Sequence, residues 1–143
     1  MTQNIPTRLE EIIQDFQYCE GSEKLELLIQ CSEALPDLPE RFTQQRAGMA
    51  PVPECMSPVY LFAEVDAGKL HFYFDVPVEA PTVRGFAAIM QQGMEGATPD
   101  EVLQVPGDFY QQMGLQGVLS HQRLNGMAAI LAHMKQLAVR EMG

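Results

Sequence analysis

Basic residues are scarce in this 143-residue sequence, in which nine Lys and Arg stand against nineteen Asp and Glu and the formal net charge is −10. Binding to nucleic acid or to an anionic membrane surface requires clusters of Lys and Arg that the sequence lacks. We therefore predict that neither is a partner. The acidic character favours solubility and steering toward basic protein surfaces, without identifying one.

Long apolar runs and an export signal are also missing. No run approaches the roughly 20 apolar residues of a membrane-spanning helix, and residues 1–6 lack the basic start and apolar region of a signal peptide. The three cysteines are odd in number, widely spaced and without a CxxC pair, so a disulfide framework is not indicated. These absences predict a cytoplasmic protein with free thiols in a reducing compartment.

Hydrophobic residues make up 46% of the chain, and its length suits one compact domain spanning residues 1–143. The first third predicts two amphipathic helices. Thr7 to Glu10 has the form of a capping box, and Ser22 can cap the second helix. The apolar faces are predicted at Leu9, Ile12, Ile13 and Phe16, and then at Leu25, Leu28, Ile29 and Ser32.

Residues 36–58 contain five prolines and show no helical period, which predicts a long irregular stretch of the kind that often carries function. Two runs rich in β-branched and aromatic residues follow, at 59–65 and 70–74. The residues between them, Asp66 to Gly68, supply a turn, so the pattern predicts a β-hairpin.

The remainder reads as helical. Helical spacing recurs at 83–90, Thr98 to Glu101 has a capping box with proline at the first helical position, and a short helix is expected at 108–113. A last helix should begin near Ser120 and run toward Met142. Its buried face is expected at Leu124, Met127, Ala128, Leu131 and Met134. The predicted class is α+β, with helices packed on a small antiparallel sheet.

The cysteines differ in their sequence surroundings. Cys19 and Cys31 are predicted within amphipathic helices, where a free cysteine behaves as a small hydrophobic residue. Cys55 lies in the proline-rich stretch just before a strand, where its thiol can be presented to a partner or held in a pocket. Glu54 beside it disfavours the thiolate. A core cysteine at a strand start is the alternative, and both interpretations stay open on this pattern.

The histidines show no metal-ligand spacing with one another or with the cysteines, so we predict neither a metal nor any other cofactor. His71 falls in a predicted strand, His121 at a helix start and His133 further along that helix. His121 as a base near Cys55 is an alternative to a helix-start residue. No dinucleotide fingerprint, Walker loop or GxSxG motif is present.

Four short motifs, in order and at consistent spacing, resemble the SufE family of sulfur acceptors from about Leu9 to Ala138. The segment 54–60, Glu-Cys-Met-Ser-Pro-Val-Tyr, is similar to the family's Gly-Cys-x-Ser-x-Val-Trp motif. Leu-Pro-Asp-Leu at 35–38, Val-Arg-Gly-Phe at 83–86 and Arg-Leu-Asn-Gly-Met at 123–127 resemble the family's other conserved segments. The resemblance implies a SufE/NifU-like α+β fold.

It also implies a function. A pyridoxal-phosphate cysteine desulfurase of the SufS type would transfer persulfide sulfur to Cys55 and would be stimulated by this protein. This protein would then deliver the sulfur to an iron–sulfur scaffold of the SufBCD type. Arg123 would dock a partner or stabilise anionic sulfur, since a guanidinium is always charged and presents several donors. The alternative is an ordinary first-turn helix residue. The protein would be an accessory factor more than a free-standing enzyme, and a monomer or weak homodimer.

Two positions depart from the family pattern: Glu54 replaces the glycine before the cysteine, and Tyr60 replaces the tryptophan. Glycine permits a left-handed backbone that glutamate resists, so the segment around Cys55 is expected to differ from the family's. A binding adaptor without transfer chemistry is therefore an alternative function. An iron–sulfur scaffold is another, although cluster ligation takes several converging cysteines.

Overall fold

The computed structural model describes residues 5–47, 51–52 and 58–142. In these ranges the helices and strands follow in the order α1 (Thr7–Gln17), α2 (Ser22–Ser32), α3 (Glu40–Ala47), β1 (Tyr60–Asp66), β2 (Lys69–Asp75), α4 (Pro81–Met94), α5 (Pro99–Gln104) and α6 (His121–Met142). Two 3₁₀ turns, Phe109–Met113 and Leu115–Gly117, connect α5 to α6. The predicted α+β class is confirmed.

The two strands form an antiparallel hairpin in which Tyr60 pairs with Asp75 and Asp66 with Lys69. Ala67 and Gly68 form its turn with φ of 53° and 79°, the left-handed pair whose twist matches that of the flanking strands. Leu70, Phe72 and Phe74 alternate along β2 and are all buried. This face packs toward the helices, so the predicted hairpin is confirmed.

Helix α4 is the centre of the molecule and packs against α1, α2, α6 and β2. Two of its residues must be glycine because neighbouring helices approach too closely for a side chain. A Cβ on Gly85 would lie 2.0 Å from the Leu28 carbonyl oxygen of α2, and one on Gly93 would lie 2.8 Å from the Leu9 Cβ of α1. Burial of this helix thus depends on backbone contact as well as on apolar side chains.

The other face of the hairpin is covered by α3, in the stretch predicted to be irregular. Phe42 stacks on Phe62 with ring centroids 4.7 Å apart and lies 5.0 Å from Tyr73. Arg41 lies over the Phe42 and Tyr73 rings and donates to both carboxylate oxygens of Glu64, at 2.9 and 2.8 Å. The prediction was wrong because a single buried aromatic and an arginine hold this helix, and these produce no apolar periodicity.

The outer edge of β2 is occupied at Leu70 and Phe72. The Leu70 N–H donates to the Ala97 carbonyl at 2.8 Å, and the Leu70 carbonyl accepts from the Gly96 N–H at 3.0 Å. The Gln91 side-chain amide donates to the Phe72 carbonyl at 2.9 Å. The chain after α4 and one side chain of α4 therefore take the place that a third strand would fill.

One of the three predicted helix caps is present. Thr98 and Glu101 form the expected capping box. Helix α1 instead includes Thr7 as its first residue and begins after Pro6, which has no side-chain cap. Helix α2 begins after Gly21, which has a φ of 54°, and the Glu23 carboxylate accepts from the Glu20 N–H. Thr7 and Ser22 were predicted to precede their helices as N-cap residues. In the structure each is instead the first residue of its helix, so the helix begins one residue earlier than predicted.

Candidate functional site: a cleft between the starts of α4 and α6

Cys55, the residue predicted to carry the chemistry, lies outside the described residues, as does Glu54. The residues that flank this segment are described. The Val52 N–H donates to the Val59 carbonyl at 2.8 Å, and both valine side chains are buried, with 3% and 0% exposed. Val52 and Val59 are thus joined to each other and anchored in the core.

Three further chain segments meet at the same end of the hairpin. Val59 immediately precedes Tyr60, the first residue of β1, which pairs with Asp75 at the end of β2. Arg46, near the end of α3, forms an ion pair with Asp75. The end of α3, the start of β1 and the end of β2 are therefore tied together, and the chain leaves β2 here for α4.

A cavity of about 240 Å³ opens where this chain enters α4 and where α6 begins. We call it the α4–α6 cleft. Its described lining residues are Glu79, Ala80, Pro81, Thr82, Val83, Gln122, Arg123, Gly126, Met127 and Ile130. It combines a buried apolar floor with charged and polar groups that belong to the first turns of two helices.

The first turn of α4 leaves backbone donors without side-chain acceptors. Ala80 is its N-cap residue and provides no side-chain cap, while Pro81 occupies the first helical position and has no N–H. The N–H groups of Thr82 and Val83 belong to the turn that has no acceptors within the helix. Arg84 fixes the approach to this turn, because its guanidinium donates to the Val76 carbonyl at 2.7 Å.

The first turn of α6 carries Arg123, which lines the cleft and is exposed. Its backbone N–H is capped by the Ser120 hydroxyl at 3.2 Å. No acidic residue lies in this turn. A cation near a helix N-terminus is disfavoured by the helix dipole, so helix stability does not explain an arginine here. Arg123 thus lies in the first turn of α6, a location that fits the predicted docking or anion-stabilising role as well as the alternative of an ordinary helix residue.

The other two cysteines lie elsewhere. Cys31 is in α2, as predicted, but Cys19 lies beyond the end of α1, so its assignment to a helix was wrong because α1 ends at Gln17. Both are half-buried. Burial, reinforced by the charge of Asp15, raises the pKa of the Cys31 thiol above its ordinary value. Cys31 is therefore a poor nucleophile near neutral pH.

No histidine is among the described residues that line the cleft. His71, whose orientation the sequence left open, is half-buried, and its Nδ1 lies 2.5 Å from Glu95 Oε2. His121 is the exposed first residue of α6, in line with its interpretation as a helix-start residue. Desolvation by burial, followed by the charge of Arg140, lowers the pKa of His133. Across residues 5–47, 51–52 and 58–142, no group of three His, Cys, Asp or Glu could hold a metal ion.

Sequence reasoning missed the cleft residues Glu79, Thr82 and Gln122. Thr82 is the most informative of them because it lines the cleft while only 7% of it is exposed. One signal was present: Pro81 at a first helical position marks the helix start and so identifies Thr82 as a first-turn residue. The meeting of this turn with the start of α6 is a tertiary contact that no local pattern encodes.

Helices packed around one antiparallel hairpin, with a cleft between two helix starts, define a small α+β domain. A solved structure has this fold: the solution structure of a hypothetical protein from Thermus thermophilus has a TM-score of 0.84 and 30% sequence identity, and the match covers 96% of this chain and 98% of that one. None of the helices in the described ranges is both long and apolar enough to cross a membrane.

The family model described as "SufE: Fe-S metabolism associated domain" matches residues 10–138. An uncharacterized SufE-like protein of Mycobacterium tuberculosis is 40% identical over 134 residues, which are 93% of this chain and 92% of that protein. The cysteine desulfuration protein SufE of Plasmodium vivax is 28% identical over 124 residues, 78% of this chain and 51% of its own. The chain belongs to the SufE family, whose domain is associated with Fe-S metabolism.

Proposed function

We propose that this protein accepts persulfide sulfur on Cys55 from a pyridoxal-phosphate cysteine desulfurase of the SufS type, stimulates that enzyme, and passes the sulfur to an iron–sulfur scaffold of the SufBCD type. It does so as a partner-dependent accessory protein among the free thiols of the cytoplasm. Membership of the SufE family and the name of the Plasmodium relative support sulfur transfer in general. The assignment to Cys55 rests on its match to the family's cysteine motif.

The described residues on either side of the cysteine motif support this assignment. The Val52 N–H donates to the Val59 carbonyl and both side chains are buried, so the two described residues that flank the motif are joined beside the start of β1. Cys55 is four residues from Val59, and an extended chain spans at most about 14 Å over that length.

The transfer step balances without an external oxidant or reductant. The Cys55 thiolate attacks the outer sulfur of the desulfurase persulfide, forming a new S–S bond as the old one breaks. The desulfurase cysteine leaves as a thiolate, and Cys55 becomes the persulfide. The same exchange with an acceptor thiol returns Cys55 to its starting state, so one cysteine suffices.

Arg123 supports this reaction by docking a partner or by stabilising anionic sulfur. Its exposure, its position at the cleft and the absence of acids in its helical turn suit both roles. The attacking thiolate, the leaving thiolate and the persulfide are all anions at some stage of the exchange. A fixed positive charge close to them stabilises each of these species.

The test measures cysteine desulfurase turnover together with the mass of this protein. Wild type should accelerate sulfide release and gain about 32 Da, one sulfur atom, on Cys55. Cys55→Ser should do neither. Cys31→Ser is the matched control, because it removes a half-buried thiol with a raised pKa and should behave like wild type.

The adaptor alternative predicts a different pattern. If Cys55→Ser binds and stimulates the desulfurase as wild type does, and Cys55 never gains mass, then the fold serves binding alone and the proposed sulfur transfer is wrong. Arg123→Gln separates the two roles of that residue. A weaker association with the desulfurase indicates docking, whereas unchanged association with slower mass gain indicates stabilisation of anionic sulfur.

A further inference from the structure

We propose that the α4–α6 cleft is a binding site for a small sulfur-bearing anion such as thiosulfate, and that it binds this anion in preference to sulfate. The choice of a sulfur anion rests on the proposed function. The existence of an anion site rests only on residues 79–83 and 120–130.

Two helix starts converge on the cleft. Helix α4 has 14 residues and α6 has 22, and residues of both first turns line the cavity. Each helix places the positive end of its dipole at this end. The first-turn N–H groups of α4 have no side-chain cap, whereas in α6 the Arg123 N–H already bonds to the Ser120 hydroxyl. The first turn of neither helix contains an acidic residue. Such a combination attracts anions, and Arg123 adds a full positive charge.

Thr82 is the independent indication of a ligand. Its side chain lines the cleft and is more than nine-tenths buried, with 7% exposed. Its hydroxyl makes no hydrogen bond with any residue of the described ranges, in which Thr43, Ser32 and Thr98 all use theirs. No completely buried side-chain oxygen or nitrogen in those ranges lacks a partner. The Thr82 hydroxyl is thus not a fully buried group without a partner, and a ligand in the cleft that Thr82 lines can accept a hydrogen bond from it.

The floor of the cleft determines which anions fit. Met127 and Ile130 are 3% and 1% exposed, and Val83 completes an apolar wall beside the charged rim. Moving a strongly hydrated oxyanion against such a wall is costly, whereas a polarisable sulfur atom loses less hydration there. The cavity of about 240 Å³ is much larger than the roughly 10–15 Å³ that one water needs, so it has room for a polyatomic anion.

One charge in the cleft opposes anion binding. Glu79 also lines the cavity and is exposed, and it forms no ion pair with Arg123 in the described part of the chain. It reduces anion affinity without neutralising the arginine directly. This arrangement predicts opposite effects for two neutralising substitutions in the same cleft.

The experiment is an NMR titration of the reduced full-length protein with sodium thiosulfate and, at equal ionic strength, with sodium sulfate. The two ions have the same charge and shape and differ by one sulfur in place of one oxygen. Thiosulfate should shift the backbone amides of residues 82–83 and 121–123 with saturation, at an affinity about fivefold or more above that of sulfate. Arg123→Gln should weaken thiosulfate binding about tenfold, and Thr82→Val several-fold.

Four further variants keep the test decisive. Thr82→Ser retains the hydroxyl and should bind like wild type, whereas Glu79→Gln should bind about twofold more tightly. Arg140→Gln makes the same charge change as Arg123→Gln in the last turn of α6 and should leave binding unchanged. Cys55→Ser identifies the source of the anion. If thiosulfate binds this variant and not wild type, the chain's own sulfur occupies the site and the same chemistry holds.

Equal affinity for the two ions would overturn the preference for sulfur, and the absence of saturable shifts at residues 82–83 and 121–123 in both wild type and Cys55→Ser would overturn the site itself. No desulfurase is present in this titration. A failure here therefore leaves the proposed sulfur transfer standing, and a failure of mass gain on Cys55 leaves the anion site standing.

Discussion

The body of α4 and its first turn are constrained in different ways. From Gly85 to Gly93 the helix touches α2 and α1 so closely that no Cβ fits at either glycine. In its first turn, by contrast, Pro81 to Val83 line an open cleft whose other wall is the start of α6. The difference separates two kinds of constraint on one helix: steric fit along its body, and the chemistry of exposed donors at its start.

This comparison explains the motif Val83-Arg84-Gly85-Phe86 residue by residue. Gly85 permits contact between helices, and Phe86 is buried in the core. Arg84 bonds the Val76 carbonyl and so fixes the connection from β2. Val83 lines the cleft. The motif marks the point at which the packed body of α4 changes into the open site.

The largest expected effect is on stability, from Gly85→Ala. The added Cβ would lie 2.0 Å from the Leu28 carbonyl oxygen, so the α2 and α4 backbones must separate. We expect a loss of about 3 kcal/mol or more in the free energy of unfolding, which exceeds the roughly 1 kcal/mol gained in helix propensity. Urea denaturation measures it. Gly107→Ala is the control, since no described atom lies within 4 Å of its Cβ, and a comparable loss there would contradict the steric argument.

Gly93→Ala should have a smaller effect in the same direction. The nearest atoms are the Cβ and Cδ1 of Leu9 at 2.8 Å and its Cα at 3.1 Å, so the overlap is smaller than the 2.0 Å approach at Gly85. A loss of about 1–2 kcal/mol in the free energy of unfolding is expected. The double variant with Leu9→Ala should lose less free energy of unfolding than the sum of the two single losses, because the contact with the Leu9 Cδ1 is removed. A double variant no better than the sum of the two single ones would show that the contact is not the cause.

Arg84→Met tests the junction between the first turn of α4 and its body. It keeps much of the apolar stem and removes the hydrogen bond to the Val76 carbonyl. We expect the free energy of unfolding to fall by about 1 kcal/mol. Amide hydrogen exchange should rise at residues 76–83 more than in the body of α4. Uniform changes along the whole helix would show that Arg84 does not act at the junction.

The smallest stability effect is expected in the cleft, from Gln122→Ala. Gln122 is exposed and no hydrogen bond of its side chain is found in the described part of the chain, so the free energy of unfolding should change by no more than about 0.5 kcal/mol. Urea denaturation is again the measurement. A loss as large as that of Gly93→Ala would mean that the cleft is part of the packed core. The contrast between the first turn and the body of α4 would then not hold.

Much of the fold could be predicted because strong local patterns encode it. The hairpin follows from alternating Leu70, Phe72 and Phe74 and from the turn at Ala67 and Gly68. Helix α6 follows from its apolar spacing, and α5 from the capping box of Thr98. In each case neighbouring residues supply the stabilising interaction, so the sequence order carries the information.

The rest depends on contacts between distant residues. Helix α3 is held by Phe42 on Phe62 and by Arg41 on Glu64, pairs that only the folded sheet brings together. The cleft joins Thr82 to Arg123 across some forty residues of sequence. Arg123 was found beforehand through its family motif, whereas Thr82 had no such motif. The prediction for Cys55 stays a prediction, because that residue lies outside the described ranges.

The occupied edge of β2 restricts how another protein can associate with this one. A strand with free backbone groups at its edge is a common place for an extended peptide to add, or for two copies to join and aggregate. Both backbone groups of Leu70 already bond to Ala97 and Gly96, and the Phe72 carbonyl bonds to Gln91. A peptide pairing there would first have to break these three hydrogen bonds, so recognition through this part of β2 must use side chains rather than extension of the sheet.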